Sequence, residues 1–86
     1  MIVKSDVKFN KKYATLRKGE KNRFKTRLKL FRENRHHPLL HDHELHGKYA
    51  GYRSINIGGD LRAIYKFVPP NTAVFVTIDT HTKLYD

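Results

Sequence analysis

At 86 residues and 10.2 kDa the chain is long enough for one domain with a modest core, spanning 1–86, and too short for two. Eighteen Lys and Arg stand against eight Asp and Glu, a formal charge of +10, which disfavours acidic substrate mimicry and favours polyanionic partners. The absence of Cys excludes a disulfide framework and a Cys-based zinc site. No apolar run reaches signal-peptide or membrane-span length, so a soluble cytoplasmic protein with no membrane partner is expected.

The charge divides the chain. Residues 1–35 hold 13 Lys and Arg against Asp6, Glu20 and Glu33, while residues 36–86 hold five of each sign and all six histidines. A basic zone therefore precedes a neutral, His-bearing one. Ile2-Val3 offers a short edge strand. Ser5 is the expected cap of a first helix, with Asp6 favourable at its positive end. Phe9, Tyr13 and Leu16 recur at helical spacing, and Phe24, Leu28 and Phe31 repeat it in a second helix. Gly19 is the expected turn between the two. Lys21, Lys25, Arg27, Lys29 and Arg32 surround the second apolar stripe, a surplus larger than solubility needs and suited to a polyanionic partner. His37-Pro38 closes the helical region.

From residue 51 the period changes to two. Tyr52 to Ile57 alternates, with Arg53, Ile55 and Ile57 on one face. Gly58-Gly59 is a hairpin turn, with a bulge there able to shift the register. Leu61 to Val68 is the return strand, in which Arg62, Ile64 and Lys66 share a face. Pro69-Pro70-Asn71 is a loop, and Ala73 to Ile78 is a third strand that puts Phe75, Thr77 and Asp79 on one face. The fold class is α+β: an N-terminal helical hairpin packed on a small antiparallel β-sheet, in the order β-α-α-β-β-β.

Five histidines crowd into His36-His37 and His41-Asp42-His43-Glu44-Leu45-His46, and His81 follows the last strand. Three readings compete: a metal site, exposed loop histidines without a role, and acid–base catalysis near neutral pH. No clear third ligand completes a metal site, so no metal or cofactor is expected. For catalysis, the second group must come from elsewhere in the chain, and His81 and Asp60 are the candidates. Composition alone does not choose among the three.

The order of motifs adds to this. Asp42-His43-Glu44-Leu45-His46-Gly47, Gly51-Tyr52-Arg53, Asp60-Leu61-Arg62-Ala63-Ile64-Tyr65 and Thr80-His81-Thr82-Lys83-Leu84-Tyr85 together resemble the RelE/ParE toxin superfamily, and its YafQ-like mRNA interferase branch in particular. The resemblance implies a type II toxin that cleaves mRNA on the ribosome without a metal, inhibiting translation. Its implied partners are a cognate antitoxin, the ribosome and mRNA, with operator DNA bound through the antitoxin. It places catalytic groups at His43, Asp60 and His81, and a base-stacking aromatic at Tyr85. A second family histidine falls on Asn56, an aromatic on Leu61, an arginine on Thr77 and a glycine on Asp79. Arg53, Arg62 and Lys66 are the candidates for the phosphate charge that Thr77 lacks. The alternative within the superfamily is a non-enzymatic, ParE-like inhibitor of DNA gyrase, or a catalytically weak nucleic-acid binder. Such a binder has no need to keep His43, Asp60 and His81 together.

Overall fold

The computed structural model describes residues 1–84, so Tyr85 lies outside the described residues. In chain order, strand β1 (Ile2–Ser5) leads into helices α1 (Val7–Ala14) and α2 (Lys18–Glu33). A single 3₁₀ turn at Pro38–Leu40, the two-residue strand β2 (His43–Glu44) and a second turn at Gly47–Tyr49 follow. Strands β3 (Arg53–Gly58), β4 (Leu61–Val68) and β5 (Thr72–Thr80) and the four-residue helix α3 (His81–Leu84) complete the described chain. The sheet order is β1-β5-β4-β3-β2.

The α+β class holds, but the sheet is mixed rather than antiparallel throughout. β1 runs parallel to β5, from Ile2 opposite Thr72 to Ser5 opposite Phe75. A parallel neighbour needs a long crossover, and here the intervening chain includes the helical hairpin. β1 ends at Ser5, and α1 packs against β5.

The helix boundaries differ from expectation by a residue or two, for local reasons. Asp6, not Ser5, caps α1: its carboxylate accepts the Phe9 N–H at 2.8 Å, while Ser5 closes β1. Gly19 lies inside α2, and the interhelical turn falls at residues 15–17 instead. There the Thr15 hydroxyl donates back to the Lys12 carbonyl, and the Glu20 carboxylate accepts the Arg17 N–H at 2.9 Å. Glu20 thus does for α2 what an acid at the third helical position commonly does, and the glycine is not needed for the reversal.

Both apolar stripes enter one core with the helix-facing side of the sheet. Phe9, Phe24 and Phe31 are buried against Ile55, Ile57, Ala63, Tyr65 and Phe75, with Tyr13, Leu16 and Leu28 half-buried beside them. Phe31 meets Tyr65 edge-on with centroids 5.0 Å apart. The other side of the sheet carries its own small apolar cluster of Leu45, Ile64 and Leu84, flanked by Tyr49, Tyr52 and Val76. This explains why β4 carries Ile64 between Arg62 and Lys66, since both of its faces are partly covered.

Two irregularities set where side chains point. The first, between Asn56 and Gly58, lies at the expected hairpin. Gly58 has φ +133, a conformation that favours glycine, and the flexible Arg23 side chain packs close to where a Cβ would stand, at 3.0 Å. The second was not visible in the sequence. Tyr65 pairs with Phe75 but Ile64 pairs with Thr77, which makes Val76 an extra residue in β5. Phe75 and Thr77 therefore do not share a face. Phe75 is buried under the helices, whereas Thr77 lies opposite Ile64 on the far side.

Candidate active site

On the sheet face turned away from α2, an open cleft of about 450 Å³ is lined by His41, His43, Glu44, Leu45, His46, Ser54, Arg62 and His81. It joins the β2 edge, the β3–β4 hairpin and the start of α3. Cross-strand pairing aligns its floor: His43 opposite Ser54, Ser54 opposite Ile64, and Asn56 opposite Arg62.

The His43 Nδ1 lies 2.8 Å from the His41 carbonyl oxygen. A carbonyl can only accept, so Nδ1 carries the proton and the neutral ring keeps its lone pair on Nε2. The His41 and His43 rings pack at 4.9 Å, and His41 takes a left-handed backbone (φ 45) that turns its carbonyl into this role. His81 opens α3, and its backbone N–H donates to the Asp60 carbonyl at 2.8 Å. Asp60 thereby ties the hairpin turn to the start of α3. Its carboxylate is exposed and does not line the cleft.

Arg62 is the cation the structure brings to the cleft. Its Nη1 donates to the Asn56 side-chain oxygen (3.1 Å) and to the Gly59 (2.9 Å) and Leu61 (3.2 Å) carbonyls. All three bonds use one nitrogen, and among the described residues no protein acceptor engages Nε or Nη2. Asn56 also accepts the Gly58 N–H at 2.9 Å, so it holds the turn and the cation together. Ser54 contributes a fully buried hydroxyl with no hydrogen-bond partner among the described residues.

The other proposed cations lie elsewhere. Arg53 is on the helix-facing side, where its Nε donates to Asp42 Oδ1 at 2.8 Å. The Tyr65 hydroxyl donates to Asp42 Oδ2 at 2.5 Å, and Arg35 lies 3.9 Å from the same oxygen. Burial works against the Arg53 charge, but the hydrogen bond and charge of Asp42 outweigh it and raise the guanidinium pKa. Burial, reinforced by the Asp42 carboxylate, also pushes the Tyr65 phenol up, so it remains a donor. Arg53 is thus a structural partner of Asp42, not a group of the cleft. Lys66 is exposed, roughly 13 Å along β4 from Arg62. Leu61 is buried in the main core and cannot stack on a base. Thr77 lines a second, neighbouring pocket with Lys8, Lys48, Tyr49 and Tyr52.

The reading of the crowded histidines as exposed loop residues without a role fits them unevenly. His37 Nδ1 accepts the Leu39 N–H at 3.1 Å, a capping role. His41 is part of the cleft. Its involvement, and that of Ser54, depends on the left-handed turn and the β2–β3 pairing, neither of which leaves a composition signal. Among the described residues no group of three His, Asp or Glu side chains could hold a metal ion.

The family model for YafQ, a bacterial toxin of type II toxin–antitoxin systems, matches residues 1–86. The chain belongs to the YafQ family. It functions as a type II toxin. YafQ from Escherichia coli shares the fold at TM-score 0.81 and 23% identity, over 98% of this chain and 97% of that one. The toxin in the E. coli DinJ–YafQ complex aligns at TM-score 0.78 and 24% identity, covering 98% and 97% of the two chains. A YoeB/ParE toxin from Agrobacterium tumefaciens aligns at 0.77 with 15% identity, over 94% and 99%. No curated protein matches the sequence significantly. Asn56, Leu61 and Thr77 each have a local role in this structure: Asn56 holds Arg62, Leu61 fills the core, and Thr77 lines the second pocket.

Proposed function

We propose that this YafQ-family toxin is a ribosome-dependent mRNA endonuclease that works by metal-independent acid–base catalysis. The observation that carries the proposal is the His43 Nδ1–H bond to the His41 carbonyl, which leaves Nε2 as a base in the cleft that also holds His81 and Arg62. The RNA 2′-OH attacks the adjacent phosphorus and His43 Nε2 takes its proton. The P–O5′ bond breaks, and His81 in its protonated form donates to the leaving 5′ oxygen. The products are a 2′,3′-cyclic phosphate and a free 5′-OH. Arg62 Nε and Nη2 meet the charge that grows on the phosphate oxygens. Asp60 acts through its backbone by fixing the start of α3, and not as the base.

The cytoplasmic partners in this reading are mRNA on the ribosome and a cognate antitoxin, as the DinJ–YafQ complex has, with operator DNA reached through the antitoxin. No helix of the described residues is long and apolar enough to cross a membrane. The basic α1–α2 hairpin is the surface for ribosomal RNA: Lys25 and Lys29 are exposed, and Lys21 lies over the Tyr13 ring at the hairpin. Reversing Lys21, Lys25 and Lys29 to Glu weakens ribosome association and reduces the log–log salt slope by about one unit per lost phosphate contact. An unchanged affinity and slope would show that this face is only solvated.

Primer-extension mapping of cellular mRNAs after induced expression tests the activity. Cuts within translated messages are expected from the wild type and not from His43→Ala. With one cation held at a turn, the cleft relies on the ribosome to position the message, so free RNA is cleaved much more slowly than the same RNA under translation. Equal rates would rule out the ribosome dependence. Growth arrest by both proteins without any cut mRNA would replace this reading with the ParE-like one.

A further inference from the structure

The second pocket, of about 300 Å³, lies on the same sheet face as the catalytic cleft and is lined by Asp6, Lys8, Lys48, Tyr49, Tyr52, Val76 and Thr77. We propose that it binds one nucleotide of the RNA flanking the scissile phosphate, with the base against Tyr49 and Tyr52 and a phosphate on Lys48 and Lys8. The inference rests on the nuclease reading and deepens it by placing a subsite of the same RNA track.

Three observations carry it. The two tyrosine rings meet at 80° with centroids 6.4 Å apart. They form a corner in which a base can stack on one ring and meet the edge of the other. Both rings are anchored underneath by the Leu45, Ile64 and Leu84 cluster, so the surface is rigid before the base arrives. The Lys48 ammonium sits over one face of Tyr49, 5.4 Å from the ring centroid, which places a cation at this aromatic corner. Lys8 adds a second, and the pocket's one acid, Asp6, is already committed to capping α1.

Distance connects this pocket to the chemistry. Ser54 of the catalytic cleft and Thr77 of the second pocket sit two strands apart in one cross-strand row, through Ile64. Two strand spacings are about 10 Å, a reach that an extended RNA chain covers in about one or two nucleotides. The bulge at Val76 is what turns Thr77 into this pocket. A small side chain there leaves the space open, and Lys8 and Lys48 supply cations from neighbouring elements.

The test uses the full-length protein and a fluorescein-labelled RNA hexanucleotide with 2′-O-methyl riboses, which cannot be cleaved. Binding is followed by fluorescence anisotropy at several salt concentrations, and thermal melting confirms that each variant is folded. Tyr49→Leu and Tyr52→Leu keep the apolar support but remove the π-face. At least one of them is expected to weaken binding roughly 5- to 150-fold, with Phe at the same position restoring it. Lys48→Ala lowers the log–log salt slope by about 0.7. An abasic residue at one position of the RNA removes the difference between wild type and the Leu variant. The inference is overturned if the folded Leu variants bind like wild type, if the wild type does not bind the oligonucleotide, or if these substitutions weaken inhibition by the antitoxin and leave RNA binding intact. The nuclease reading is judged separately, by mRNA cleavage by the wild type in a translation reaction. Cleavage without tyrosine-dependent binding sinks the subsite alone, whereas tyrosine-dependent binding without cleavage sinks the nuclease.

Discussion

His43→Ala and His81→Ala each lower mRNA cleavage by roughly 10²–10⁴-fold, the loss expected for a general base or a general acid. The two substitutions differ in their pH signature. If His43 is the base, its loss removes the acidic limb of the rate profile, on which protonation silences the enzyme. If His81 is the acid, its loss removes the alkaline limb. The His41 carbonyl makes the assignment directional, because it fixes the His43 proton on Nδ1 and aims the basic nitrogen away from that bond. His36→Ala and His37→Ala stay near wild-type rate, since neither lines the cleft. The comparison is made on purified protein in a translation reaction. If all four substitutions behave alike, the cleft is not the active site.

How much of this was legible in the sequence depends on the range of the interaction. Phe9, Tyr13 and Leu16, and then Phe24, Leu28 and Phe31, announced two helices and the face each buries, because helical periodicity is local. Gly58-Gly59 announced the hairpin for the same reason. The ordered motifs placed His43 and His81, and the fold brings both to one cleft. What could not be read is what depends on contacts between strands. The bulge at Val76 inverts the relation between Phe75 and Thr77, and only the pairing with Tyr65 and Ile64 reveals it. Arg53 looked equivalent to Arg62 as a cation, yet alternation puts them on opposite faces, one bound to a carboxylate and the other at the cleft. The grouping of Lys48, Tyr49 and Tyr52 with Lys8 gave no signal because Lys8, their neighbour in space, is some forty residues away in sequence.

Asp42→Ala costs about 3–5 kcal/mol of folding stability, the loss typical of removing one partner from a buried ion pair. The Asp42 side chain is 1% exposed, and its two oxygens are used differently. Oδ1 accepts from Arg53 at 2.8 Å, and Oδ2 accepts from Tyr65 at 2.5 Å with Arg35 at 3.9 Å. Removing the carboxylate leaves the buried Tyr65 phenol without its acceptor and the partly exposed Arg53 guanidinium without its partner, beside Arg35 Nη1, which is buried and has no hydrogen-bond partner among the described residues. A domain of 86 residues is stable by roughly 4–13 kcal/mol at typical values per residue, so the loss is about a quarter of the total or more. Tyr65→Phe removes one bond and costs less, about 1–3 kcal/mol. Because both changes disrupt one network, the double variant loses less than the sum of the two. The consequence reaches the chemistry, since Asp42 is the residue between His41 and His43 and its bonds to β3 and β4 hold the strand that aims His43. Urea denaturation of the four proteins measures the cycle. A cost for Asp42→Ala within about 0.5 kcal/mol of zero, the range of an ordinary surface substitution, would show that the carboxylate anchors nothing.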